Sequence, residues 1–326
     1  MLAEVDRRPT VLAERDWRAR REAHQGRVDA WLGPHLARRR EGRQHPVEDF
    51  LFTYYSYRPA ALRRWHPGPG VLLIGARPEE FGPGYRAVDG GVELDTASVF
   101  ARRRDSVGWI RRLLVATAAR PAHFGCFGMH EWAMVYRLPT DRVRHATWPL
   151  RMDPDAVADV VDRVRVRCSH FDAYRFFTPA ARPLNQLRPT RETQIGYEQP
   201  GCLHANMDLY RYSYKLAPLV DSELIADCFA LACDIRTLDM RASPYDLSAL
   251  GYPPVPVETP QGRAEYAAAQ RAFAERAAPL RGRLVAAIDR AVALAEPSGA
   301  PTASGTSPEH IDRAGDHQRD RDQRDR

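Results

Sequence analysis

Lysine is nearly missing from this chain: of its 48 basic residues, only Lys215 is not an arginine. Such a bias, with abundant alanine, fits a GC-rich coding background. It also singles out Lys215, because a lysine retained where arginine serves everywhere else suggests a site that uses a compact, titratable amine. A chance survivor on the surface is the competing explanation. Cysteine is scarce too. The five cysteines are odd in number and scattered, with no CxxC pair, which excludes a zinc ribbon and a thioredoxin-like motif. Buried free thiols in a reducing cytoplasm are the expectation. No apolar run approaches the ~20 residues that cross a bilayer, and the longest, at 71–76 and 224–233, are core-sized. The first ten residues lack a basic region followed by an apolar stretch, so no secretory signal is expected. GxSxG, GxGxxG and P-loop motifs are absent. Their absence argues against a serine nucleophile elbow, dinucleotides and ordinary nucleoside triphosphates. No internal repeat is found.

What is present describes a soluble globular chain. Hydrophobic residues make up 44% and charged residues 28% of 326 positions, with a net charge of +6, enough to build a sizeable core. The pattern predicts a mainly α fold: one helical domain with a small β component (α+β) and a disordered C-terminal tail. Residues 1–44 read as a helical extension of one or two exposed helices broken near Gly33-Pro34. Residues 45–295 form the main domain, and 296–326, rich in Ser, Thr, Pro, Asp and Arg without periodicity, the tail. Within the main domain the aromatic run 50–57 suits a helix or a strand, and a short helix follows over 60–65. A buried strand is expected at 71–74, a loop at 82–91 and one long amphipathic helix over 96–120. Strands are expected at 143–148 and 168–177. A helix over 153–166 starts with Asp153 as cap and Pro154 in its first turn. Three further helices cover 202–217, 222–240 and 261–295, and the proline-rich segment 243–260 is extended or looped.

The chemistry concentrates between Gly201 and Asp246. On the helix from 202, positions 204, 208, 211 and 215 share a face and align His204, Asp208, Arg211 and Lys215. The other faces are apolar, so the stripe faces a polar cluster or a pocket; an ion-pair ladder on a solvent face is the alternative. The next helix is antiparallel and brings Asp239, Arg241, Tyr245 and Asp246 toward the His204 end. His130-Glu131 reads as a dyad presented at a helix start. His170 and Asp172 project together from a strand or form a satisfied core pair. His204 and Asp208 with Asp227 or Asp234 could ligate a metal, but no second histidine stands at ligand spacing, and neither metal nor cofactor is expected. Arg38–Arg40 and Arg102–Arg104, with the aromatics of 50–57 and Trp65, offer phosphate contacts and stacking surfaces, or only solvated faces.

Three segments, HPVEDFLFTYYSYRP (45–59), GMHEWAMVY (128–136) and LDMRASPYD (238–246), resemble a family of actinobacterial proteins labelled 3-methyladenine DNA glycosylase. The similarity runs from about residue 16 to 292. It implies a DNA-repair enzyme that hydrolyses the N-glycosidic bond of an alkylated purine in double-stranded DNA. The cationic base would be flipped and held on aromatic faces, with a carboxylate near the oxocarbenium and water. Asp208, Glu131 or Asp239 are the candidate carboxylates, with His204 beside them. His130, Tyr54, Tyr55, Asn206, Lys215, Arg241, Tyr245 and Asp246 are the candidate substrate contacts. The Gly-Pro segment at 67–70 precedes a strand, unlike the helix-hairpin-helix of the well-known helical glycosylases, so no residue is transferred from those enzymes. The rival readings are a small-molecule hydrolase or transferase using His204, Asp208, Asp239 and Arg241, and a non-enzymatic helical binding protein. Oligomeric state is left open.

Overall fold

The computed structural model describes residues 8–139 and 148–296. The expected strand at 143–148 and the expected tail therefore lie outside the described residues, apart from their edge positions. The chain up to Ala295 forms one compact unit, mainly helical with one four-stranded sheet.

Strand β1 (Thr10–Leu12) leads into α1 (Glu14–Arg40). This helix runs unbroken through Pro34, where the sequence predicted a break. An interior proline loses one backbone hydrogen bond and costs roughly 3 kcal/mol. Packing on both sides of it offsets that cost. Trp17, Val28 and Leu32 are buried, and His35 and Arg38 both bond Asp49, at 2.9 and 2.6 Å. The aromatic run resolves into helix α2 (Phe50–Tyr54), followed by α3 (Pro59–Arg63).

The sheet follows. Strand β2 (Val71–Ile74) pairs parallel with β1 and antiparallel with the second strand of a hairpin, β3 (Tyr85–Val88) and β4 (Gly91–Leu94), giving the order β1-β2-β4-β3. Residues 82–91 were expected to be loop. Their four glycines suggested it, but two of them only flank β3 and turn the hairpin. The predicted helix over 96–120 divides into α4 (Thr96–Ala101) and α5 (Arg104–Ala118). The turn between them is pinned where Arg103 donates to the carbonyls of Lys215 and Ala217, 3.0 Å each.

Five short or medium helices come next: α6 (Met129–Ala133), α7 (Pro154–Arg163), α8 (Phe171–Tyr174), α9 (Gln194–Tyr197) and α10 (Leu203–Leu216). Asp153 caps α7 as expected, accepting from the Ala156 amide. The predicted strand over 168–177 is instead helix α8. The His170 ring accepts from the Ala173 amide and acts as its cap, a role the alternating pattern hid. Helices α10, α11 (Ser222–Arg241) and α12 (Pro260–Ala295) make the core of the molecule. α10 and α11 pack along each other, and α12 lies across both and against α4 and α5. No helix among the described residues is long and apolar enough to cross a membrane.

Candidate active site

A buried polar cluster forms where α6, α8, α9, α10 and α11 meet. Helix α10 supplies His204, Asp208 and Arg211, which share a face by i,i+4 and i,i+3 spacing. Its entry depends on Gly201, where a Cβ would come within 2.6 Å of the His123 carbonyl oxygen. Helix α6 supplies His130 and Glu131. It is entered through two left-handed residues, Phe127 (φ 46°) and Gly128 (φ 69°), a conformation that favours glycine and that aims the first turn inward. Helix α11 supplies Arg236 and Asp239. His170 and Asp172 open α8, and Glu198 closes α9.

The contacts divide into two histidine–carboxylate pairs. In the first, His130 Nε2 lies 2.9 Å from Asp239 Oδ1, and Arg236 Nη1 donates to Asp239 Oδ2 and Glu131 Oε1, both at 3.3 Å. The Arg236 guanidinium also lies over the Phe50 ring, 3.7 Å from its centre. In the second, His170 Nε2 lies 3.3 Å from Asp208 Oδ2 and 3.6 Å from Glu198 Oε1. Tyr55 donates its hydroxyl to Asp208 Oδ1 at 2.7 Å, and Arg211 Nη1 contacts Asp172 at 2.6 Å and Asp208 at 3.4 Å. Because His170 Nδ1 accepts a backbone amide, the ring proton sits on Nε2, facing the carboxylates. His204 stands between the pairs, its ring edge-on to His130 at 4.4 Å and stacked on His170 at 5.2 Å.

Burial and these pairings set the protonation states. Burial favours the neutral carboxyl of Asp208, but Arg211, His170 and the Tyr55 hydroxyl outweigh it and hold the group well below the usual carboxylate range. Asp239 is likewise depressed against its burial by His130, His204 and Arg236. Burial lowers the pKa of His130, yet Asp239 and Glu131 reverse this and raise it; Asp208 and Glu198 do the same for His170. His204 goes the other way. Burial, then the positive charge at His130, lowers it to about 3, so its imidazole is neutral between two histidines that favour charge.

Two small cavities open on either side of His204. One, of about 20 Å³, is lined by His130, Cys126, Cys168, Cys202 and Tyr266. The other, of about 30 Å³, is lined by Phe50, Tyr54, Glu131, Asp172, Phe176 and Arg236. Each has room for about one or two waters. A larger cavity of about 180 Å³ lies elsewhere, between α1, α2 and α11, with mostly apolar walls. Its charged residues, Arg38 and Glu48, bond each other at 2.7 Å, and burial pushes its one thiol, Cys233, up to about 12.

Among the residues singled out from the sequence, His130, Glu131, His204, Asp208 and Asp239 come together here. Tyr54 lines the second cavity, stacked on Phe50 at 4.9 Å. Tyr55 is instead a buried support for Asp208. The stripe expected on α10 stops at Arg211. Lys215 is exposed at the far end of the helix, about 16 Å along its axis from His204. Asn206 faces α12 and accepts from Arg281 at 2.5 Å. Arg241 turns outward to the Pro253 carbonyl at 2.8 Å, so the expected Asp239–Arg241 grouping is replaced by Asp239–Arg236. Tyr245 is buried in a bridge to Leu150, and exposed Asp246 accepts from the Ser248 amide. Asp227 and Asp234, considered as metal ligands beside His204, bind arginines on the exterior instead: Arg27 and Arg283 for the first, Arg276 for the second.

Glu198 and Arg236 were missed. Arg236 left one signal, a basic residue three positions before an aspartate on a largely apolar helix; Glu198 left none. The five cysteines are free thiols, and burial pushes that of Cys168 up to about 12. No protein-family model, curated protein or solved structure matches the chain, so the geometry of the cluster carries the functional reading alone.

Proposed function

We propose that the protein is a hydrolase acting on a compact substrate at the histidine–carboxylate cluster. The observation that carries this reading is the arrangement of two histidine–carboxylate pairs around a neutral, partly accessible His204 that opens onto both cavities. A histidine whose pKa a carboxylate raises is a better proton acceptor, and His130 does so beside a recess of water size. Asp239 and Asp208 lie against the imidazoles and favour their charged forms, and Arg211 and Arg236 compensate charge that would otherwise be too costly to bury. The enclosure favours a small polar molecule over a broad surface, and recesses that hold one or two waters must widen to admit it. The free thiols suit a reducing compartment, and we place the protein in the cytoplasm.

A second reading, the DNA glycosylase implied by the motif resemblance, is favoured by one feature. Phe50, Tyr54 and Phe176 form an aromatic wall beside Asp172 and Glu131. A flipped, cationic purine stacks on such a wall with a carboxylate near the sugar. The recess there has room only for water, so a base enters only if α2 and α8 part.

One experiment separates the two. Full-length wild type and Asp208→Asn are incubated with methylated duplex DNA and, separately, with a panel of nucleosides, amides and phosphoesters. Released base and hydrolysis products are quantified by chromatography. Turnover of a small substrate, reduced in Asp208→Asn, is the expected result. Release of 3-methyladenine from DNA establishes the second reading instead. No turnover of either kind by folded wild type rules out both.

A further inference from the structure

We propose that His130, His204 and Asp239 bind one divalent first-row transition ion, a zinc-, manganese- or iron(II)-type metal. The three side chains come from α6, α10 and α11, and one ligand atom from each lies within 4.8 Å of the other two. Two imidazoles and one carboxylate are a donor set that such ions accept, with positions left open for water or substrate. Ligand atoms about 2.0–2.2 Å from an ion sit roughly 3–3.5 Å apart around it. His130 Nε2 and Asp239 Oδ1, at 2.9 Å, are already at that separation.

The way these atoms meet is the stronger observation. His130 Nε2 and Asp239 Oδ1 are both fully buried and both without a hydrogen-bond partner, although they lie 2.9 Å apart. Their approach is short in distance and misdirected in angle, as for two ligands that point at a shared third position rather than at each other. An unsatisfied buried carboxylate oxygen costs several kcal/mol in an apolar interior (order of magnitude), and an ion at that position satisfies it. His204 closes the set, with neither ring nitrogen hydrogen-bonded among the described residues, and it faces both cavities.

The surroundings fit as well. Arg236 holds the other oxygen of Asp239 and so turns Oδ1 toward the histidines, the outer-shell orientation that metal carboxylates use. His170 is outside the set: its Nδ1 is engaged by a backbone amide, and its ring nitrogens do not belong to the group of ligand atoms that converge within 4.8 Å. Cys126, Cys168 and Cys202 line the adjoining cavity but contribute no sulfur to the group of converging ligand atoms.

The proposal shares its site with the hydrolase reading and does not depend on any reaction; with an ion bound, His130 Nε2 is a ligand and no longer the proton acceptor. Its test is titration of chelator-treated full-length protein with cobalt(II), followed by visible absorption and by thermal unfolding. Wild type is expected to take up one equivalent with ligand-field bands of nitrogen and oxygen donors and a raised Tm. His204→Ala and Asp239→Asn are expected to weaken binding at least about 100-fold, and Asp208→Asn to retain it. Should Asp239→Asn fail to fold, His204→Ala still decides, since it removes no hydrogen bond. No uptake by folded wild type overturns the proposal. So does a sulfur-to-cobalt charge-transfer band, which assigns the metal to the cysteines, or unchanged binding in His204→Ala. Cobalt binding without turnover of any substrate leaves this site standing and removes the hydrolase reading alone.

Discussion

Tyr55 shows how one side chain connects fold and site. Its ring packs edge-on against Tyr210 and its hydroxyl donates to Asp208 at 2.7 Å in a fully buried setting. A hydrogen bond to a charged group contributes about 1.5–3 kcal/mol. Tyr55→Phe is therefore expected to lower unfolding stability by about that amount in a urea titration, with the m-value unchanged. At this scale, residues that share one helix were legible. His204, Asp208 and Arg211 follow from i,i+3 and i,i+4 spacing, and that stripe does face a cluster. Lys215 continues the same spacing, yet the helix end has passed the cluster by then. Asp239 was placed correctly because α11 returns antiparallel to α10. Its true partner, Arg236, was passed over for Arg241, since sequence proximity to Asp239 does not reveal which side of α11 is inside. The meeting of His130 with His204 depends on tertiary packing and leaves no local pattern.

Among the elements, the turn into α6 is the most demanding. Gly128 sits at φ 69°, with Tyr266 and Ala242 within 3.5 Å of where a Cβ would stand. A non-glycine residue in that conformation costs roughly 1–2 kcal/mol. Gly128→Ala is expected to lower the urea midpoint correspondingly, and a variant as stable as wild type would show that the turn is not strained. The long helices α10, α11 and α12 were readable because each keeps its period over many turns. Short elements were not. Helix α8 is a single turn capped by a histidine, which alternation disguised as a strand. Strand β3 lies between glycines that suggested only loop. Helix α1 crosses Pro34 because packing with Asp49 and the body outweighs a local rule.

For the molecule as a whole, acid stability exposes buried histidines away from the cluster. His66 is buried against Tyr85, 3.2 Å from its hydroxyl. Burial, with help from Arg64 and His24, lowers its pKa from 6.5 to about 4. The unfolded chain therefore binds a proton that the folded chain refuses. The stability His66 contributes is complete above pH 6.5 and is lost as pH falls toward about 4. On the order of 3 kcal/mol is at stake. His66→Gln is expected to flatten the stability curve across that window, as measured by unfolding at stepped pH; an unchanged slope would show that His66 is protonated when folded. The same wide view returns to the near-absence of lysine. With one ε-amine, exposed at the end of the helix that carries His204 and Asp208, amine-directed chemistry has a single side-chain address besides the N-terminus. A dye coupled at Lys215 would be a fixed observer about 16 Å along the helix from the cluster, able to report events there by quenching without any engineered residue.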